Sequence, residues 1–264
     1  MHLLVSKKHR VLHITLNRPE KRNALTVEMS LAITEAIEGA QQAEDVGCIL
    51  IGASGPVFCA GMDLDEVAGA NEPQLNATHD ALFSTGAQSL KPIVVAVNGT
   101  ALGGGLGLVA QGHVVLAAEG VVFGLPEIRI GLWPFMVYRA VSAALGARRT
   151  LELSLTGQHF NSAEACDWGL VHRVCPGSEV ADRAKAIARQ LAKSSPLALG
   201  CGMRYVRESA GRSWNESGEL AAALRNQVMA SADFKEGVQA FKMKREAHWP
   251  SMPEGFYEVH PSDH

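Results

Sequence analysis

Charge of one sign is scarce in this sequence. Lysine and arginine number 24 against 27 aspartates and glutamates, a net charge of −3, and only 19% of the residues are charged. No like-charge run stands out, so the electrostatic footprint of a nucleic-acid or anionic-membrane binder is absent. Cysteines are few: Cys48, Cys59, Cys166, Cys175 and Cys201 are odd in number and form no C-x-x-C pair. That pattern argues against a disulfide framework or a redox or metal module and for buried free thiols in a reducing compartment. Long hydrophobic runs are missing too, since stretches such as 92–97 and 114–118 are far too short to cross a bilayer. The first ten residues carry no apolar core of a secretion signal. The expectation is a cytoplasmic protein with neither a membrane nor a nucleic-acid partner.

Catalytic signatures are missing as well. There is no G-x-S-x-G elbow, no H-E-x-x-H and no Walker loop, and the ten histidines are scattered without metal-site spacing, so no metal is expected. What is present is a chain of 264 residues, 47% hydrophobic. A chain of that length buries about 70–75% of its unfolded surface and needs no staple.

The first two thirds alternate strands with helices. Residues 10–17 read as a strand by alternation, Thr26 caps a helix to about Gln42, and 48–51 is a buried strand. A polar helix is expected over 73–90. The β-branched runs 92–97 and 114–118 read as strands covered on both faces. Beyond about Phe135 the pattern is helical, interrupted by a short strand at 170–174, and the chain from His248 onward, rich in Pro, Gly and His, is expected to fray.

Two glycine-bearing turns follow buried strands: Phe58-Cys-Ala-Gly-Met-Asp-Leu64, and Asn98-Gly-Thr-Ala-Leu-Gly103-Gly104-Gly105-Leu-Gly107. Three successive glycines opening an apolar helix leave unpaired N–H groups with no side chain in the way, a site for an anion or for an oxygen that becomes one. The same glycines could instead serve close helix–strand packing. The run from Gly105 to Ala110 also fits G-x-G-x-x-A, the dinucleotide fingerprint. Spacing rejects it: seven residues separate strand from fingerprint, and Glu119 lies 14 residues beyond Gly105, where about 20 are expected. Glu127 is the one carboxylate in an otherwise apolar segment, 123–137. Burial there would raise its pKa toward a working pH, as a general base or acid requires. An acid after Pro126 at a helix start is an equally open structural reading.

Taken together, these motifs resemble the crotonase (enoyl-CoA hydratase/isomerase) superfamily. The resemblance runs through Leu16-Asn-Arg-Pro-Glu-Lys-Arg-Asn-Ala-Leu25, the two glycine turns, Phe123-Gly-Leu-Pro-Glu-Ile128 with Gly131, Leu155-Thr-Gly157 and Trp168-Gly-Leu-Val171, and covers almost the whole chain. It implies an α/β fold: a crotonase-like spiral of ββα units over 1–195, then a helical C-terminal region, 196–264, that mediates a homotrimer or a dimer of trimers. It implies acyl-CoA thioester substrates, with coenzyme A entering as part of the substrate and no separate cofactor. The amides of Met62 and Gly104 would form an oxyanion hole, Gly103 lying beside it, with Glu127 as the acid/base. The adenine of CoA would lie along Ala60, Gly61, Met62, Asp63 and Leu64. Lys21 or Arg22 would meet a CoA phosphate, and Phe241 and Lys244 would reach CoA from a neighbouring subunit. The apolar stretch 132–137, with Trp133, would line the acyl pocket.

One departure matters. The resemblance gives hydratases two glutamates, and the first falls here on Gly107. Moving a double bond needs only one base that takes a proton from C2 and returns it to C4, so isomerisation is favoured, and hydration by Glu127 acting twice stays open. Phe135 stands where a dehalogenating relative would need a nucleophilic aspartate, which removes that chemistry. Two alternatives remain: a non-catalytic acyl-CoA-binding member, and another crotonase-type reaction such as thioester hydrolysis or C–C cleavage, drawing on His79, Asp80 or Glu152.

Overall fold

The computed structural model describes residues 2–67 and 72–257. In chain order the elements are β1 (Leu3–Lys8), β2 (Val11–Leu16), α1 (Val27–Gln42), β3 (Cys48–Ala53), β4 (Val57–Cys59), α2 (Leu64–Val67), α3 (Glu72–Leu82), α4 (Thr85–Gln88), β5 (Ile93–Val97), β6 (Thr100–Leu102), α5 (Gly104–Ala110), β7 (Val114–Ala118), β8 (Val122–Gly124), α6 (Phe135–Leu145), α7 (Ala147–Thr156), β9 (His159–Asn161), α8 (Ser162–Asp167), β10 (Arg173–Cys175), α9 (Gly177–Ala192), α10 (Pro196–Ser209), α11 (Trp214–Met229) and α12 (Ala232–Met243).

They build two sheets. The larger has the order β1-β2-β3-β5-β7-β10 and the smaller β4-β6-β8-β9. The chain alternates between them: β3 leads to β4, β5 to β6 and β7 to β8, each step adding one strand to each sheet. This is the ββα spiral. All contacts among β2, β3, β5, β7 and β10 are parallel, as are those among β4, β6 and β8. Every residue of β5, Ile-Val-Val-Ala-Val, is buried, because a central parallel strand is covered on both faces. Helix α1 starts where Thr26 Oγ1 accepts from Met29 N at 3.1 Å, a cap worth about 1 kcal/mol. Met29, Ile33, Ile37 and Ala40 then place an apolar stripe against the core.

Three expectations from sequence need correction. The polar helix expected over 73–90 is broken. Gln111, buried, accepts from Gly86 N at 2.7 Å and donates to Phe83 O at 2.8 Å. This side chain satisfies the backbone groups that a continuous helix would have paired. The strand expected at 170–174 begins later, at Arg173, because Leu170 and Val171 bond back to Ala165 O instead. The stretch from His248 to Tyr257 is tied down: Trp249 Nε1 donates to Lys193 O at 2.8 Å and Ser251 N to Asp233 Oδ1 at 2.9 Å. Residues from 258 onward lie outside the described part.

The five cysteines are free, Cys166 half-buried and the other four buried. Burial pushes the Cys48 and Cys59 thiols up to about 12, so neither is a thiolate at neutral pH. Among the described residues no helix is long and apolar enough to cross a membrane.

Candidate active site

The site is assembled at the carboxyl ends of three neighbouring strands. In the smaller sheet β4 pairs with β6 and β6 with β8, all parallel, with Cys59 opposite Ala101 and Leu102 opposite Gly124. Parallel strands end on the same side, so the residues following them converge, despite a bulge between Val57 and Cys59 in β4. Those residues are Ala60–Met62, Gly103–Gly104 and Leu125–Glu127.

The first turn is held against the segment before α1. Leu25 N donates to Gly61 O at 2.8 Å and Asp63 N donates to Leu25 O at 2.8 Å. In an extended segment the flanking groups used in this way leave the middle residue's N–H and C=O facing the opposite side. Met62 therefore turns its amide away from Leu25. On that other side stands the second turn: a Cβ built on Gly61 would lie 3.3 Å from Leu102 O and 3.8 Å from Gly104 N. Among the described residues neither the Met62 nor the Gly104 amide has a backbone acceptor. Gly104 opens α5, where the first amides have no intrahelical partner.

Gly103 is held by its own N–H, which donates to Gly124 O at 2.9 Å. Its φ of 51° and ψ of −119° suit glycine alone. The bond to Gly124 draws the third turn alongside. Pro126 opens a short 3-10 turn, 126–130, that Gly131 closes in the left-handed conformation. Glu127 sits in its first turn with its carboxylate beside Gly103: Oε1 would be 2.9 Å from a Cβ at that residue. The Glu127 Oε2 atom is buried and has no hydrogen-bond partner. Burial raises the pKa of this carboxyl from 4.5 to about 6, offset only by its own backbone N–H.

Position 107, one turn further into α5, is filled from outside. A Cβ on Gly107 would stand 2.6 Å from Val137 Cγ1 and 2.8 Å from Phe83 Cε1. Phe83 Cζ also reaches within 3.4 Å of the corresponding point on Gly104. The ring of Phe83, 3% exposed, thus lies along the first turn of α5 and leaves no room there for a carboxylate side chain.

Of the other residues singled out by sequence, Ala60 is half-buried and its N–H donates to Arg22 O at 3.0 Å. The Asp63 carboxylate is engaged by Arg18 at 2.6 Å, which holds it below the usual carboxylate range, and Leu64 is exposed. Lys21 and Arg22 are exposed beside this turn. Trp133 is half-buried and stacks on Tyr138 with centroids 6.3 Å apart. In 132–137 Leu132 and Phe135 are exposed and Val137 is buried. Phe241 and Lys244 lie exposed on and just after α12. Asp80 pairs with Arg139 and Glu152 with Arg149, both on the surface, while His79 is buried with its ring 6.2 Å from that of Phe83. Sequence reasoning missed Phe83, since nothing in a polar helix pattern marks a lone phenylalanine as the ring that closes over Gly107. Arg18 carried a signal, its place in the 16–25 segment, but not its partner.

Comparison with known proteins identifies the family. The family model described as enoyl-CoA hydratase/isomerase matches residues 6–252. The chain is 32% identical over 252 residues to the enoyl-CoA hydratase EchA19 of Mycobacterium tuberculosis, covering 92% of this chain and 94% of that protein. It is 33% identical to the 2,3-dehydroadipyl-CoA hydratase of Escherichia coli, with 92% and 96% covered. A crystal structure of an enoyl-CoA hydratase from Mycobacterium smegmatis superposes with a TM-score of 0.89 at 27% identity, over 94% of this chain and 99% of that one. A family model matched over residues 6–252 and relatives 32–33% identical across 92% of the chain decide the matter: this chain belongs to the enoyl-CoA hydratase/isomerase family.

Proposed function

We propose that the protein is an acyl-CoA enzyme that moves a carbon–carbon double bond, converting a 3-enoyl thioester to the 2-enoyl form. The thioester carbonyl oxygen accepts from the Met62 and Gly104 amides. The Glu127 carboxylate takes a proton from C2, and the electron pair of that C–H bond passes into a dienolate whose charge rests on the thioester oxygen. Glu127, now a carboxylic acid, returns the proton to C4 as the double bond settles between C2 and C3. No atom is gained or lost. Fixed donors aimed at a developing oxyanion are worth about 10²–10³ in rate each. A carboxyl with a pKa of about 6 suits both halves of the shuttle, since it ionises near neutral pH yet reprotonates readily.

The observation that carries this reading is the pairing of an unpartnered Glu127 oxygen with a position 107 packed shut by Phe83 and Val137. One proton carrier is available and no second carboxylate fits beside it. Hydration by Glu127 alone is the second reading, and the names of the relatives favour it. Helices α10–α12, in the region from 196 onward, are the part that would join copies into a trimer or a dimer of trimers, supported by the exposed apolar side chains Trp214, Phe234, Val238, Phe241 and Met243 on α11 and α12. There Phe241 and Lys244 would complete a neighbour's CoA site.

Incubation with 3-enoyl-CoA and 2-enoyl-CoA substrates, with products resolved by mass, separates the two readings. An isobaric product from the 3-enoyl thioester supports isomerisation. A gain of one water from the 2-enoyl thioester supports hydration. Binding of both without turnover would sink the enzymatic reading.

A further inference from the structure

The proposed chemistry uses the Met62 amide, yet nothing in that chemistry explains what aims it. The two backbone bonds around it, Leu25 N to Gly61 O and Asp63 N to Leu25 O, fix its direction only as well as residues 61–63 and 23–25 are fixed to each other. One side chain does that from within. Arg18 Nη1 donates to Asp63 Oδ2 at 2.6 Å and to Ala24 O at 3.3 Å, so a single guanidinium holds the residue after Met62 and the residue before Leu25. Both side chains of the ion pair are shielded, 13% and 12% exposed, which keeps water from competing for the contact.

Arg18 is itself anchored. Its N–H donates to Asn23 Oδ1 at 2.7 Å, and Asn23, fully buried, spends its amide on Ser54 O and Val57 O at 2.9 and 2.8 Å. These last bonds tie the assembly to the entry of β4, the strand that delivers the Met62 turn. The Asp63 carboxylate also accepts from Asp65 N at 3.2 Å, so its position is defined from both sides.

We propose that Arg18 is a positioning residue for the reaction: acting through Asp63, it sets the direction of the Met62 amide and hence the polarisation of the bound thioester carbonyl, without touching substrate. The inference rests on the reading of Met62 and Gly104 as the donors to that carbonyl. A misplacement of about 1 Å at a reacting centre can cost about 10²-fold in rate. Loss of a support one residue removed leaves the amide in place but loosely aimed, so a decrease of roughly tenfold is the scale expected.

The test is the carbonyl stretching frequency of a bound 2-enoyl-CoA, read by isotope-edited infrared difference spectroscopy alongside kcat, KM and the thermal midpoint. In the native enzyme the band shifts down on binding. In Arg18→Met the shift shrinks and kcat falls about tenfold with KM within about threefold. Arg18→Lys recovers part of both, because its ammonium keeps the charge facing Asp63 but ends one bond short of where Nη1 meets both Asp63 and Ala24 O. Asp63→Asn, isosteric and neutral, moves the band the same way as Arg18→Met and decides the matter if Arg18→Met does not fold. Folded variants that keep the native band position overturn the inference, even if their thermal midpoints fall. A native enzyme that shows no band shift would instead overturn the assignment of the two amides, a separate failure.

Discussion

Gly103 and Glu127 stand so close that one methyl group on the first would meet the second: a Cβ at residue 103 falls 2.9 Å from Oε1 of Glu127 and 3.4 Å from its carboxyl carbon. The contact is inherited from strand register, through Leu102 opposite Gly124 and the bond from Gly103 N to Gly124 O. Gly103→Ala therefore suffers twice, from a backbone conformation that costs about 1–3 kcal/mol for any other residue and from a clash with the carboxylate. An unfolding free energy lowered by that amount in denaturant titration, with turnover reduced far more than CoA binding, is the outcome to measure.

Glu127→Gln removes the proton carrier and should lower kcat by about 10²–10⁴ while acyl-CoA still binds within severalfold. Full activity in this variant would remove Glu127 from the mechanism.

The same residue governs pH dependence, with a definite sign. A carboxyl whose folded pKa rises from 4.5 to about 6 prefers to stay protonated in the native state. Its penalty is absent below about 4.5, grows as pH rises and is complete above about 6, where it amounts to about 2 kcal/mol. Glu127→Gln should thus be more stable than the native protein at pH 8 and no more stable at pH 4, as denaturant titrations at the two values would report. Activity runs the other way. As proton abstraction needs the carboxylate, kcat/KM should rise about tenfold per pH unit below about 6 and level off above it.

Gly107→Glu tests the wall of Phe83 and Val137. Alone it forces a side chain into filled space and should cost at least about 1–3 kcal/mol. Phe83→Ala alone leaves a cavity and costs about 3–5 kcal/mol. The double variant gives the new side chain the vacated room, so its loss should be smaller than the two together, a coupling that a double-mutant cycle reads directly. If a second carboxylate is what hydration lacks here, the double variant should also gain water addition to 2-enoyl-CoA.

Much of this protein could be read from its residues in order. The β-branched runs at 92–97 and 114–118 are strands β5 and β7, and Thr26 does open α1, because burial on both faces and helix capping leave local marks in composition. The two glycine turns and the isolated Glu127 were likewise visible as features that a packed core does not otherwise favour. The three-residue strands β4, β6, β8 and β9 were not visible, since three residues are too few to display a period. Yet their register is what carries Ala60–Met62, Gly103–Gly104 and Glu127 to one side of one sheet. Nor could order along the chain foretell that Gln111 breaks a helix 25 residues earlier, that Phe83 closes over Gly107, or that Arg18 finds Asp63 45 residues away. Each depends on packing between segments distant in sequence, and an isolated side chain carries no local trace of the partner that packing will bring to it.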